Sequence, residues 1–154
     1  MNSNQYSMAD IESFVARFWP GIKTYITPYW YSATFTAVAQ AAQQTQQINI
    51  QANADFLCMS ILFRMNIAAA QNESTITAPF LRLLITDNGS GEQFSQTAID
   101  LEAQGRNSQR SNALPYPRIL QGKSTLTLQV TNYAPTAETY SGDVILEGVQ
   151  VRAY

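Results

Sequence analysis

The chain has 154 residues, the length of one domain, with 45% hydrophobic residues, 13% charged residues and a net charge of −2. Soluble domains usually carry about 25% charged residues; here Gln, Asn, Ser and Thr make up the difference, which predicts a surface with little self-repulsion that is covered in use. The nine basic residues form no stripe, which argues against nucleic-acid binding by phosphate neutralisation, and no run approaches the roughly 18 apolar residues of a membrane span.

Residues 1–6 are polar and read as loose, with no basic region followed by an apolar stretch, so no signal peptide is expected. Ser7 stands three residues before Asp10, a capping-box spacing, and Ile11, Phe14, Val15, Phe18 and Trp19 follow at helical intervals. Pro20-Gly21 ends the pattern, so 8–19 reads as one short amphipathic helix that needs something to pack on: its own domain or a neighbour. Phe14, Phe18 and Trp19 are the candidate assembly contacts on this helix. The division is a 1–28 arm followed by a 29–154 sandwich domain.

After Pro28, Tyr29 to Val38 is rich in aromatic and β-branched residues and reads as a strand. Residues 39–47 break the pattern and read as a helix or a polar connection, and 47–52 alternates as a half-buried strand. A longer apolar strand covers 56–68, with Arg64 and Asn66 facing out and Cys58, the only cysteine, among apolar neighbours. A lone cysteine makes no internal disulfide, which fits a reducing cytoplasm. Residues 80–86 form another strand, Asp87 to Gly91 a turn, and 98–101 a short strand. Residues 102–117 read as a long exposed loop whose close basic pair, Arg106 and Arg110, are further candidate contacts. Thr125 to Thr131 alternates cleanly, and Tyr140 to Arg152 is a long strand. Its inward set shifts from Val144 and Leu146 to Val149 and Val151, so a β-bulge is expected at Gly148. The whole reads as all-β: a β-sandwich or jelly roll of about eight antiparallel strands with a short N-terminal amphipathic helix.

The absence of histidine removes Ser-His-Asp and Cys-His catalysis and every His-containing metal site, and one cysteine cannot make a thiolate zinc site. Asp100 and Glu102 share a face of a short strand, but nothing points to opposed carboxylates in a cleft. Asp10 and Glu12 read as favourable charge at a helix N-terminus. Asp87-Asn88-Gly89-Ser90-Gly91-Glu92 offers oxygen ligands without the spacing of an EF-hand, and reads as a turn. No enzymatic activity, cofactor or metal is expected.

Five segments carry a family resemblance: Ile48-Asn49-Ile50-Gln51-Ala52, Leu83 to Gly91, Leu114 to Ile119, Gly122 to Asn132, and Leu146 to Arg152. Over about 47–152 the chain resembles the small jelly-roll decoration, cement or minor capsid proteins of tailed bacteriophage heads. The resemblance rests on a pattern of strands and turns and brings no family-wide functional residue. It implies a virion structural protein, assembled in the host cytoplasm, that contacts the major capsid protein or other virion proteins and forms a homo-oligomer, without nucleic acid or membrane. The alternatives are a tail, baseplate or vertex component, and a carbohydrate-binding sandwich with Tyr29 and Tyr31 on one face and Trp30 on the other.

Overall fold

The computed structural model describes residues 6–67, 79–104 and 113–154. The elements in chain order are α1 (Met8–Phe18), β1 (Thr24–Val38), β2 (Gln43–Asn49), β3 (Asp55–Ile67), β4 (Leu81–Asp87), β5 (Ile99–Asp100), α2 (Leu101–Gln104), β6 (Arg118–Leu120), β7 (Thr125–Asn132) and β8 (Tyr140–Ala153).

The pairing follows a simple rule. β1 pairs with β8, β2 with β7, β3 with β6 and β4 with β5, all antiparallel. The chain is therefore one long hairpin, folded back between β4 and β5 and wound on itself. Winding adds the β8–β3 and β7–β4 pairings and divides the strands into two sheets, ordered β1-β8-β3-β6 and β2-β7-β4-β5. That arrangement is the eight-stranded jelly roll.

Alternation explains how the sheets face each other. In β7, Leu126, Leu128 and Val130 are buried between the sheets, and in β4 so are Leu81, Leu83 and Ile85. Phe35, Phe56, Ile61, Val144 and Leu146 meet them from the first sheet. A second, smaller core of Leu57, Val149 and Val151 lies beneath α1, which contributes Ile11 and Val15.

This second core corrects the reading of β8. Its register against β1 is continuous from Thr24↔Ala153 to Phe35↔Gly142, so β8 carries no bulge at Gly148. Val144 and Leu146 face the main core, whereas Val149 and Val151 face α1. The apolar set changes because the strand becomes covered on both sides. The bulge is in β3, where the register against β8 shifts between Cys58 and Ser60. Gly148 is its counterpart: a Cβ there would lie 2.0 Å from the Leu57 carbonyl oxygen, so only glycine fits.

Other segments differ from the sequence expectation. Gln43–Gln47 is strand, not connection, because pairing with β7 outweighs the weak strand propensity of glutamine. The crossover from β1 is a tight turn with Ala37 and Ala41 at positive φ. β1 begins at Thr24 and runs through Pro28, which an edge strand tolerates. Asn66 is buried rather than facing out, although Arg64 is exposed. Glu102 lies in α2, not on a strand beside Asp100. The start of the expected 102–117 loop is likewise helical, and residues 118–120 add a strand to the first sheet.

Candidate contact surfaces

The N-terminal helix is built from its cap inward. Asp10 N–H donates to Ser7 Oγ at 3.1 Å and Ser7 N–H to Asp10 Oδ2 at 3.0 Å, completing the capping box. Those hydrogen bonds hold the Asp10 carboxyl below its ordinary pKa. From this start, Ile11 and Val15 fall on one face and pack on the sheet at Leu57, Val149 and Val151. The helix thus docks on its own sandwich.

Its aromatic residues divide between fixing the helix and lining a cleft. Trp19 Nε1–H donates to Asp55 Oδ2 at 3.2 Å, while Asp55 Oδ1 accepts from Gly122 N–H at 2.8 Å, so one carboxylate ties helix, β3 and the turn before β7. Phe14 meets the rings of Tyr6 and Tyr116 edge-on at 5.8 and 5.3 Å. Tyr6 OH donates to the Leu114 carbonyl, which burial beside Asp10 accompanies with a raised Tyr6 pKa. Phe18 is half-buried and lines a cavity of about 590 Å³ together with Phe94, Leu114, Tyr116 and Arg118. Arg118 lies 4.6 Å over the Phe94 ring. Arg106 and Arg110 lie outside the described residues.

Two features escaped the sequence reading. One is the outer face of the β2-β7-β4-β5 sheet. Register places Gln43, Thr131, Arg82 and Asp100 in one row, Thr45, Gln129 and Leu84 in the next, and Gln47, Thr127 and Thr86 in a third. Asn49 and Thr125 complete it, joined by a 3.0 Å hydrogen bond. The three rows carry two charges, Arg82 and Asp100, side by side and opposite in sign; the Arg82 guanidinium stacks 4.4 Å over Tyr133. Tyr133 OH in turn donates to Asp100, a hydrogen bond that raises the tyrosine pKa. The alternation of Gln and Thr along β2 carried this signal, hidden by assigning 43–47 to a connection.

The other feature is the disposition of the β1 aromatics. Tyr31 is 8% exposed, its hydroxyl accepting from Gln51 N–H at 3.1 Å, and Tyr29 packs against the main core. Trp30 is 57% exposed on the opposite side of the strand. These residues form no shared stacking platform.

Asp87 and Cys58, singled out by the sequence, are committed locally. Asp87 Oδ1 accepts from Gly89 N–H at 2.9 Å and Oδ2 from Ser90 Oγ–H at 3.0 Å, so both carboxylate oxygens serve their own turn. Cys58 is fully buried, and desolvation pushes its thiol up to about 12. Among the described residues, no group of three or more His, Cys, Asp or Glu side chains converges to hold a metal, and no helix is long and apolar enough to cross a membrane.

By strand order the chain is a jelly-roll protein. No family model and no curated protein matches it. Among solved structures it is similar to the VP2 subviral particle of infectious bursal disease virus, with 12% identity and a TM-score of 0.32. That match covers 86% of this chain and 36% of the other, so the chain spans about a third of its length.

Proposed function

We propose that this chain is a non-catalytic virion structural protein that decorates or cements a bacteriophage capsid through protein–protein contacts. The observation carrying this reading is the broad outer face of the β2-β7-β4-β5 sheet, built mainly from Gln, Thr and Asn, with its two charges, Arg82 and Asp100, paired at the β4–β5 side. Neutral polar groups bury against a partner without the desolvation cost of ions, and amide and hydroxyl side chains can re-pair across the contact. A rigid sandwich presents such a face repeatedly, as a shell of symmetry-related contacts requires. The aromatic helix α1 packs on the opposite sheet.

The family resemblance of residues 47–152 supports the phage head as the location, with tail, baseplate or vertex as the alternative sites. The carbohydrate-binding reading is disfavoured by the burial of Tyr31, which leaves no row of exposed rings on β1. The test is to mix purified protein with capsid shells lacking it. Saturable uptake, abolished by charges at Thr45 and Thr127 on the neutral face, is the expected result. Failure to bind shells, together with binding to a glycan array, would replace this reading with the carbohydrate one.

A further inference from the structure

Each sheet of a sandwich has two edges, and an exposed edge is a template for another strand. Three of the four edges here are blunted. β5 has two residues and passes directly into α2; β6 has three. β1 carries Pro28, and near its end the Gln44 side chain occupies the Thr36 backbone. Gln44 Oε1 accepts from Thr36 N–H at 3.0 Å and Gln44 Nε2–H donates to Thr36 O at 2.8 Å. β2 differs. It is seven residues long, Gln-Gln-Thr-Gln-Gln-Ile-Asn, without proline or charge, and among the described residues β7 is its sole strand partner.

The hydrogen-bond phase of β2 shows which groups its open edge presents. Asn132 N–H donates to Ala42 O at 3.0 Å, and Ile50 N–H to Ser124 O at 2.9 Å, at either end of the ladder. In an antiparallel pair, residues alternate between bonding the neighbour with both backbone groups and directing both away from it. The register Gln43↔Thr131 through Asn49↔Thr125 carries that alternation across the strand. Gln44, Gln46 and Ile48 therefore bond β7, and Gln43, Thr45, Gln47 and Asn49 direct N–H and C=O outward.

We propose that β2 pairs antiparallel with β2 of a second copy about a two-fold axis at Gln46, joining two β2-β7-β4-β5 sheets into one eight-stranded sheet. This goes beyond the virion reading and holds wherever the chain acts. The register is self-complementary. With the axis at Gln46, Gln43 stands opposite Asn49 of the second copy and Thr45 opposite Gln47 of the second copy. All four outward-directed residues then form hydrogen-bonded pairs. The facing side chains are amides and hydroxyls, with no like charges to repel. The two Gln46 residues face each other as a non-hydrogen-bonded pair, about 4.5 Å apart at Cα, within the range of roughly 4.4–6.8 Å that a disulfide spans.

The experiment uses the full chain and three variants. Light scattering should give about twice the 17.1 kDa chain mass. Thr45→Lys with Gln47→Lys sets lysines opposite each other and should halve that mass. Thr45→Lys with Gln47→Glu sets each lysine opposite a glutamate and should restore it. Both positions are exposed, so folding is checked by an unchanged circular dichroism spectrum. Gln46→Cys should form an interchain disulfide under mild oxidation, since Cys58 is buried and does not compete. A monomer at all concentrations would overturn the proposal. So would an oligomer that both charge variants leave intact and Gln46→Cys fails to cross-link.

Discussion

Asn132, at the end of β7, is fully buried, and its side chain is fully used. Its Nδ2 donates to Val38 O at 3.0 Å and Glu138 O at 2.8 Å, and its Oδ1 accepts from Ala134 N–H at 2.9 Å. One amide thereby joins the β1–β2 corner to the β7–β8 connection. Asn132→Leu would leave two carbonyls and one N–H unpaired and should destabilise the fold by about 3 kcal/mol in urea titration. Gly148→Ala should cost at least as much, because its Cβ meets a backbone carbonyl that a bulge holds in place. Ionisation acts at the same scale. Burial raises Cys58 from 9.0 to about 12; burial, then the 2.5 Å hydrogen bond to Glu138, raises Tyr140 from 10.0 to about 12. Both are neutral in the fold at pH values where the unfolded chain ionises them, so their contribution is full below pH 9 and is lost as pH rises toward 12. Melting temperature should fall across that window, less steeply in a Cys58→Ala variant than in its parent.

At the scale of elements, α1 is a second cover for the β1-β8-β3-β6 sheet. Ile11→Ala should cost about 2–3 kcal/mol through the cavity left above Leu57 and Val151, and Ser7→Ala about 1 kcal/mol through loss of the cap. Deleting residues 1–21 exposes Leu57, Val149 and Val151 and should lower the melting temperature clearly; an unchanged value would mean that α1 is dispensable to the fold. The helix, β7 and the turn at Asp87 were legible in the sequence because cap spacing, strict alternation and turn residues are local signals. β2 was not, because glutamine has no strand preference and the pairing with β7 that orders it is remote in sequence. The change of face along β8 was legible, but its cause was not: an in-phase strand covered on both sides reads the same as a strand with a bulge. Phe14 and Trp19 were legible as aromatic anchors, while their commitment to this chain's own Tyr116 and Asp55 depended on tertiary contacts.

At the scale of the molecule, low charge and a wound hairpin act together. The jelly roll offers two outer sheet faces. Part of one lies beneath a helix, and the other presents rows of mostly neutral side chains beside an open strand edge. A surface of that kind is inexpensive to bury and carries little repulsion between copies, which is the physical basis for assigning it to assembly. The most direct test of that assignment is the mass of the purified protein by light scattering, alone and after mixing with capsid shells lacking it. A closed small oligomer alone and saturable uptake by the shells are the expected results. A stable monomer that ignores the shells would contradict it.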